Sequence, residues 1–348
     1  MTTATNSKQS AEERALERFG EMLISKIETI KEDWHKPWFT EGACVWARNL
    51  DGRGYNGINA FMLAMLCENK GYELPVFSTF ERIAALNDKK TKDDKPMVTV
   101  KKGEKSFPVF LTTFTVIDKD GNKIPYDEYI KLSDDDKNKC QVYPRMRVYN
   151  VFNVAQTNIA EARPELFEKI QNSCGKNKGD SVTTSEEYNI EEMDYLLANQ
   201  KWYCPINLKY QDRAYYSPSN DCIVLPEKSQ FESGKSFYGT AFHEMVHSTG
   251  IASRLNRVGV ANKVEFGSSE YAHEELIAEI GAAITGLKYG LQTYIQKDSV
   301  AYIKSWLGCI SQNPKYVKTV LKDAKKASDM IIDRLESLDK VIVKPKVA

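Results

Sequence analysis

The sequence predicts an α+β chain in two parts: N-terminal helices on a small antiparallel sheet, then a mainly helical part built around an HExxH-bearing helix. Three observations carry this. Segments before residue 171 alternate between helical and two-residue periodicity. All periodicity stops in the polar stretch "NSCGKNKGDSVTTSEE", and nearly everything after Ser236 returns to a helical period. A length of 348 residues also favours two domains over one. The division reads as 1–171, a linker at 172–187, and 188–348.

Residues 9–32 set Leu16, Phe19, Leu23, Ile27 and Ile30 on one helical face. Pro37 and three tryptophans in "DWHKPWFTEGACVWARN" end that pattern. "DGRGYNGIN" is then a glycine-rich turn, and "AFMLAMLCENKGY" a helix closed by Gly71. A short helix at "TFERIAALN" and the charged loop "DKKTKDDK" precede three strands, "MVTV", "SFPVFLTTFTVI" and "RMRVYNVFNV". "KKGEK" joins the first two. In the second part "WYCPINLKY" alternates, and "AYYSPSNDCIVLP" reads as two strands around a Ser-Pro-Ser-Asn turn. Ala324, Ala327, Ile331, Leu335 and Leu338 form the apolar stripe of the last helix.

An apolar content of 42% beside 28% charged residues is that of a soluble globular protein. No apolar run approaches the roughly 18 residues of a membrane span. The N-terminal "MTTATNSKQSAEER" holds no signal-peptide core. Seven cysteines without a CxxC pair suit reduced thiols in a cytoplasm and argue against cysteine ligation of a metal. Charge balances at 48 basic and 48 acidic residues, and the N-terminal half is neutral by itself. Nucleic-acid binding would therefore need local placement of charge and aromatics, not a bulk cationic field.

Only four histidines occur, and two stand in "FHEMVHSTG". On a helix turning about 100° per residue, His243 and His247 share a face one turn apart, and Glu244 lies to its side. Two imidazoles so placed hold one ion, and the glutamate reaches a water beside it. A catalytic zinc takes three protein ligands and keeps a fourth position open. "YAHEELIAEIGAAITG" offers Glu275 as the third ligand, with Glu274 as the alternative. Read alone, "EELIAE" is an ordinary solvated acidic stripe; beside an HExxH helix it completes a His-His-Glu site. Glu279, one turn beyond Glu275, is suited to accept the second ring N–H of a ligand histidine. Zinc lowers the pKa of a bound water from 15.7 to about 7. Glu244 as base then contributes about 10²–10⁴-fold. Tyr271 or His273 is the candidate oxyanion donor. His35, beside Trp34, reads as structural.

These residues carry a family resemblance. "FYGTAFHEMVHSTGIASRLNR", "FGSSEYAHEELIAEIGAAITG" and the segment from "YIKSWLGCISQNPKYV" onward resemble the zincin-like metallopeptidase domain of ArdC-type antirestriction proteins. "PW", "GRGYNGINAFML", "GYELPVFSTFERI", "VTVKKGEKSFPVF" and "RVYNVFNVAQT" resemble that family's N-terminal single-stranded-DNA-binding domain. The resemblance implies a protein of plasmids or other mobile elements that accompanies incoming single-stranded DNA and evades host restriction. It assigns the metal to His243, His247 and Glu275 and the base to Glu244. His273 stands where the family pattern has arginine, Phe77 where it has tryptophan, and "NDKKTKDDKPM" is an insertion.

Single-stranded DNA is held by base stacking on aromatics and by cations along the phosphates. The candidates are Trp34, Trp38, Trp46, Tyr55 and Phe77, with Arg53, Lys101, Lys102, Lys105 and Arg147. The expected function is an antirestriction-type protein that binds single-stranded DNA and carries a zinc-dependent peptidase-like site acting on an unknown protein. "DCIVLP" is the strand expected to pair with an extended peptide. Two alternatives are a DNA-shielding protein whose zinc is structural and non-hydrolytic, and a peptidase whose N-terminal half recognises protein. Zinc suits two imidazoles and a carboxylate; manganese or nickel could occupy the same ligands.

Overall fold

The computed structural model describes residues 10–33, 35–40, 45–87, 96–174, 188–262, 265 and 267–342. In chain order the elements begin α1 (Ala11–Glu32), β1 (Arg48–Asn49), α2 (Gly57–Lys70), β2 (Val76–Thr79), α3 (Phe80–Ala84), β3 (Phe107–Ile117) and β4 (Lys123–Ile124). They continue with α4 (Tyr126–Tyr129), α5 (Asp134–Lys137), β5 (Gln141–Asn153), α6 (Ile159–Ala162) and α7 (Pro164–Cys174). The second part holds α8 (Glu191–Ala198), β6 (Ile206–Lys209), β7 (Tyr215–Ser217) and β8 (Cys222–Pro226). It closes with α9 (Gly234–Thr249), α10 (Val258–Ala261), α11 (Ser269–Lys288), α12 (Ile303–Gln312) and α13 (Pro314–Ile342).

The first sheet runs β1-β2-β5-β3-β4 and is antiparallel except for its β1–β2 edge. Its spine is the long β3–β5 pairing, from Phe107 opposite Val151 to Ile117 opposite Gln141. Near the body, Phe107, Val109 and Phe110 are buried. Towards the far end Leu111, Phe114, Tyr143 and Met146 are exposed, so the pair projects as a ribbon. Asn59, buried on α2, ties the sheet to that helix: its Nδ2 donates to Phe110 O at 2.7 Å and its Oδ1 accepts from Phe110 N at 2.9 Å.

The helices start where their side chains can replace missing backbone partners. Ser10 and Glu13 form a reciprocal cap on α1, and Asn56 caps α2, which Gly71 closes at φ 66°. Because α2 is apolar nearly all round, it is buried between other elements. It packs on α11 and α13, while α1 packs on α12 and α13. One apolar core therefore runs from Phe19 and Phe61 through Phe242 and Ile277 to Ile331. A second, small cluster of Val76, Ile83, Val98, Val154 and Ile170 lies elsewhere in the N-terminal part.

Two expectations need correction. "MVTV" is not a strand. Apart from one bridge between Val100 and Thr157, its backbone is satisfied by side chains: Asn87 brackets Val98, and Asn158 Oδ1 accepts from Thr99 N. "DCIVLP" becomes β8, the central strand of a second sheet ordered β6-β8-β7, parallel to β6 and antiparallel to β7. Both of its edges are taken, so an incoming peptide cannot pair with it. No helix among the described residues is long and apolar enough to cross a membrane.

Candidate metal centre

α9 begins at a Ser233 cap and stays buried along most of its length. It crosses α11 where Gly281 faces Val246; a Cβ at Gly281 would meet Val246 Cγ2 at 2.8 Å. That close approach brings Glu275 against the two histidines. His243 Nε2 and His247 Nε2 lie 3.1 Å apart. Glu275 Oε2 is 3.5 Å from the first and Oε1 is 3.7 Å from the second. Ligand atoms about 2.0–2.1 Å from a tetrahedral ion stand about 3.3 Å from one another. The three side chains thus have the spacing and the N,N,O donor set of a divalent metal site.

Each histidine is backed by its own carboxylate. Glu279 Oε1 stands 3.5 Å from His243 Nδ1 and is itself held by Gln296 N at 2.8 Å. Glu274 Oε1 stands 3.3 Å from His247 Nδ1. Glu274 therefore stands behind His247, on the ring nitrogen turned away from His243 and Glu275. Arg257, buried, donates to both of its oxygens at 2.9 and 2.5 Å. Ser299 Oγ donates to Glu275 Oε2 at 3.0 Å. Ser299 lies in the 3-10 helix Lys297–Tyr302, which Gln296 immediately precedes, and Arg257 immediately precedes α10; no periodicity in the sequence marks them.

The electrostatics follow from burial and pairing. Burial opposes charge on His247, but Glu275 and Glu274 more than offset it and raise its pKa well above 6.5. His243 is raised in the same way, against burial, by Glu279 and Glu275. Burial pushes Glu275 up, yet the two histidines hold it well below the carboxylate range. Burial likewise opposes the charge on Glu274, and Arg257 brings it below 4.5. Glu244 and Glu279 are raised, chiefly by burial. A raised carboxyl is matched to taking up and returning a proton near neutrality.

His243, His247, Glu275 and Glu244 line a cleft of about 1360 Å³, together with Tyr271 and Tyr302. The rings of Tyr271 and Tyr302 are 5.5 Å apart, and Glu275 is among the causes that raise the Tyr271 hydroxyl, after burial. His273 turns away. Two positions from Tyr271 is about 200° around a helix, and its ring packs 4.9 Å from Tyr316 on α13. It does not line the cleft, so an oxyanion role for it is set aside. Strand β7 lines the same cleft as the last strand of its sheet among the described residues, and the Tyr216 N–H donates to Glu244. Tyr216 anchors the strand: its hydroxyl donates to Asp221 at 2.8 Å, and Arg254 grips Asp221 and donates to Ser248 O on α9 at 2.7 Å.

The nucleic-acid candidates separate by burial. Trp38 and Phe77 are 0% exposed, Trp38 against Phe61, so neither can stack on a base. Trp46 and Tyr55 are half-buried and committed: Trp46 Nε1 donates to Tyr55 O at 2.9 Å, and the Tyr55 hydroxyl donates to Phe77 O at 3.1 Å. Lys101, Arg53, Lys102, Lys105 and Arg147 are all exposed, and Lys101 Nζ donates to Ala155 O at 3.0 Å. Trp34 lies outside the described residues. Sequence reasoning missed the ribbon. In "YPRMR", Tyr143, Arg145 and Arg147 fall every second residue and share one exposed face of β5 with Leu111 on β3.

A helix carrying HExxH, crossed by a glutamate-bearing helix and flanked by a small sheet, defines the zincin-like class. Residues 185–323 match the zincin-like metallopeptidase family, and residues 13–152 match the N-terminal domain of anti-restriction factor ArdC. The chain belongs to the ArdC-type antirestriction family. Its fold is shared by two crystal structures of the antirestriction ArdC protein from plasmid R388, one metal-free and one Mn(II)-bound. Their TM-scores are 0.63 and 0.62 at 24% identity, over 92% of this chain and 98% and 97% of theirs. Two DNA primase TraC proteins of Escherichia coli are each 30% identical to it, over 91% and 90% of this chain. The chain spans only 27% and 19% of their length. An uncharacterized protein, y4eC, of Sinorhizobium fredii is 25% identical over 90% of both chains.

Proposed function

We propose that the chain is an antirestriction-type protein that binds single-stranded DNA through its N-terminal half and hydrolyses a protein substrate at a zinc centre. The observation that carries the peptidase half is the convergence of His243, His247, Glu275 and Glu244 in one cleft, beside the edge strand β7. A divalent metal held by the triad would polarise a substrate carbonyl and acidify a water. Glu244 takes the proton of that water and returns it to the leaving amine. An extended peptide adds to the outer edge of β7, where main-chain hydrogen bonds align it alongside α9. The Tyr271 hydroxyl, beside Glu275, is the candidate donor to the developing oxyanion. Zinc is favoured by the donor set, and the Mn(II) bound by the plasmid R388 protein suits the same kind of ligands.

The Glu244→Gln protein is expected to keep stoichiometric metal while peptide cleavage falls at least about 100-fold. Metal content, cleavage of a peptide library and protection of DNA in a restriction assay test this together. If protection survives in Glu244→Gln while wild type cleaves nothing, the non-hydrolytic shielding reading replaces this one.

For DNA, the ribbon face of Tyr143, Arg145 and Arg147 supplies the aromatic and cations that buried Trp38 and Phe77 cannot. Tyr143→Ala with Arg145→Ala and Arg147→Ala should weaken oligonucleotide binding by at least about 10-fold at low salt, given ~1–3 kcal/mol per stacked base. It should also flatten the salt dependence, by about 0.7 in the log–log slope for each phosphate no longer neutralised. Unchanged affinity and slope in a fluorescence-anisotropy titration would remove the ribbon from the interface.

A further inference from the structure

We infer that Arg257 is a positioning residue of the metal centre: by clamping both oxygens of Glu274 it fixes the orientation and tautomer of His247. The inference rests on the metal-site reading above and concerns a residue outside both metal-bearing helices. Arg257 follows the turn after α9. Its own N–H donates to Gly250 O at 2.8 Å, and Leu255 N donates to Thr249 O at 2.9 Å, so the turn folds back onto the end of the helix. The guanidinium then spends its donors on one small region. Nε and Nη2 reach the two oxygens of Glu274, Nη2 also reaches Val246 O at 2.8 Å, and Nη1 reaches Thr249 Oγ1 at 2.7 Å.

The clamp is buried, with Glu274 at the wall of the cleft. Arg257 and Glu274 are 6% and 3% exposed. Two glycines clear its space: a Cβ at Gly250 would meet Arg257 Nη2 at 2.9 Å, and one at Gly259 would meet Glu274 Cβ at 2.6 Å. Held by a planar fork, the carboxylate has little freedom to rotate, and Oε1 remains beside His247 Nδ1 at 3.3 Å. With Nδ1–H donating to Glu274, the lone pair of His247 sits on Nε2, the atom that faces His243 and Glu275. The two histidines are thus held differently. The carboxylate behind His243 is held by uncharged donors, the Gln296 N–H and the Ser299 hydroxyl, whereas the one behind His247 is oriented by a charged bidentate partner.

A purely structural ion pair makes a different prediction. Replacing a buried pair by apolar residues of similar size commonly leaves a fold intact or more stable. The test is therefore Arg257→Met combined with Glu274→Leu in the full chain, with Zn(II) affinity read by competition against a chromophoric chelator. The d–d absorption of the Co(II)-loaded protein provides a second readout. The expected result is an unchanged urea midpoint, a loss of Zn(II) affinity of about 10–100-fold and an altered Co(II) spectrum. Equal affinity and an identical spectrum in a folded double variant would overturn the inference. If the double variant folds poorly, Arg257→Lys decides. It keeps the charge but loses the fork, and several-fold weaker Zn(II) binding at an unchanged midpoint is expected; full wild-type affinity would overturn the assignment. Failure of the underlying metal reading is distinguishable, because wild type itself would then take up no stoichiometric Zn(II).

Discussion

The His243→Ala, His247→Ala double variant is expected to lose all metal-dependent stabilisation. An ion that binds only the folded chain stabilises it by about 4.1 kcal/mol when its concentration is roughly 1,000 times Kd. Wild type should show that gain in urea melts with and without Zn(II), and the double variant none. The gain depends on pH, and its sign follows from the cluster. Both histidines have folded-state pKa values raised above 6.5, so in metal-stripped protein they contribute stability that is complete below that value. It is lost as pH rises through their raised values. Glu275 is lowered, so its contribution is present above the ordinary carboxylate range and lost on acidification. Metal uptake must displace the histidine protons, so apparent affinity should rise with pH from about 6 upward. A pH-independent gain, or an undiminished gain in the double variant, would move the ion to other ligands.

The second large effect concerns dissection. A fragment beginning at residue 188 is expected to fail to unfold cooperatively, although the polar stretch at 172–187 suggests a clean cut. α1 and α2 cover α11, α12 and α13. Gly57 abuts Ile284, and Gly20 abuts Val317 and Ile310, all buried in the whole chain. Full exposure of these three side chains alone costs about 1.5–3 kcal/mol each. Their sum is comparable with the roughly 5–15 kcal/mol that keeps an entire domain folded. Near-ultraviolet circular dichroism and a urea titration of the fragment check this; a sharp transition at the midpoint of the full chain would show two independently stable halves.

Much of the centre is legible because it is local. Spacings of four along α9 and α11 are enough to put His243 beside His247 and Glu275 beside Glu279, whatever those helices pack against. The same rule is enough to turn His273 away from Tyr271. What stays hidden is non-local. Ser299, Gln296 and Arg257 reach the site from segments without period, and their roles exist only once the chain has folded back. The same holds for strand position: nothing within "DCIVLP" tells that β6 and β7 will occupy both of its edges. Trp38 and Phe77 mislead because an aromatic ring is equally suited to a core and to a base, and only burial decides.

One small contact between the halves has a consequence for inheritance. Trp38 N donates to Thr293 O at 2.8 Å, and Gln292 Nε2 reaches Phe39 O at 3.4 Å. The loop so held is the one that delivers Gln296 N and Ser299 Oγ to the two glutamates of the centre. A recombination event that joined this C-terminal half to a foreign N-terminal half would therefore leave the loop without its anchor. The matches to the far longer TraC proteins run through both halves together, covering 91% and 90% of this chain. The stretch shared with those proteins is nearly the whole chain, anchor and loop included.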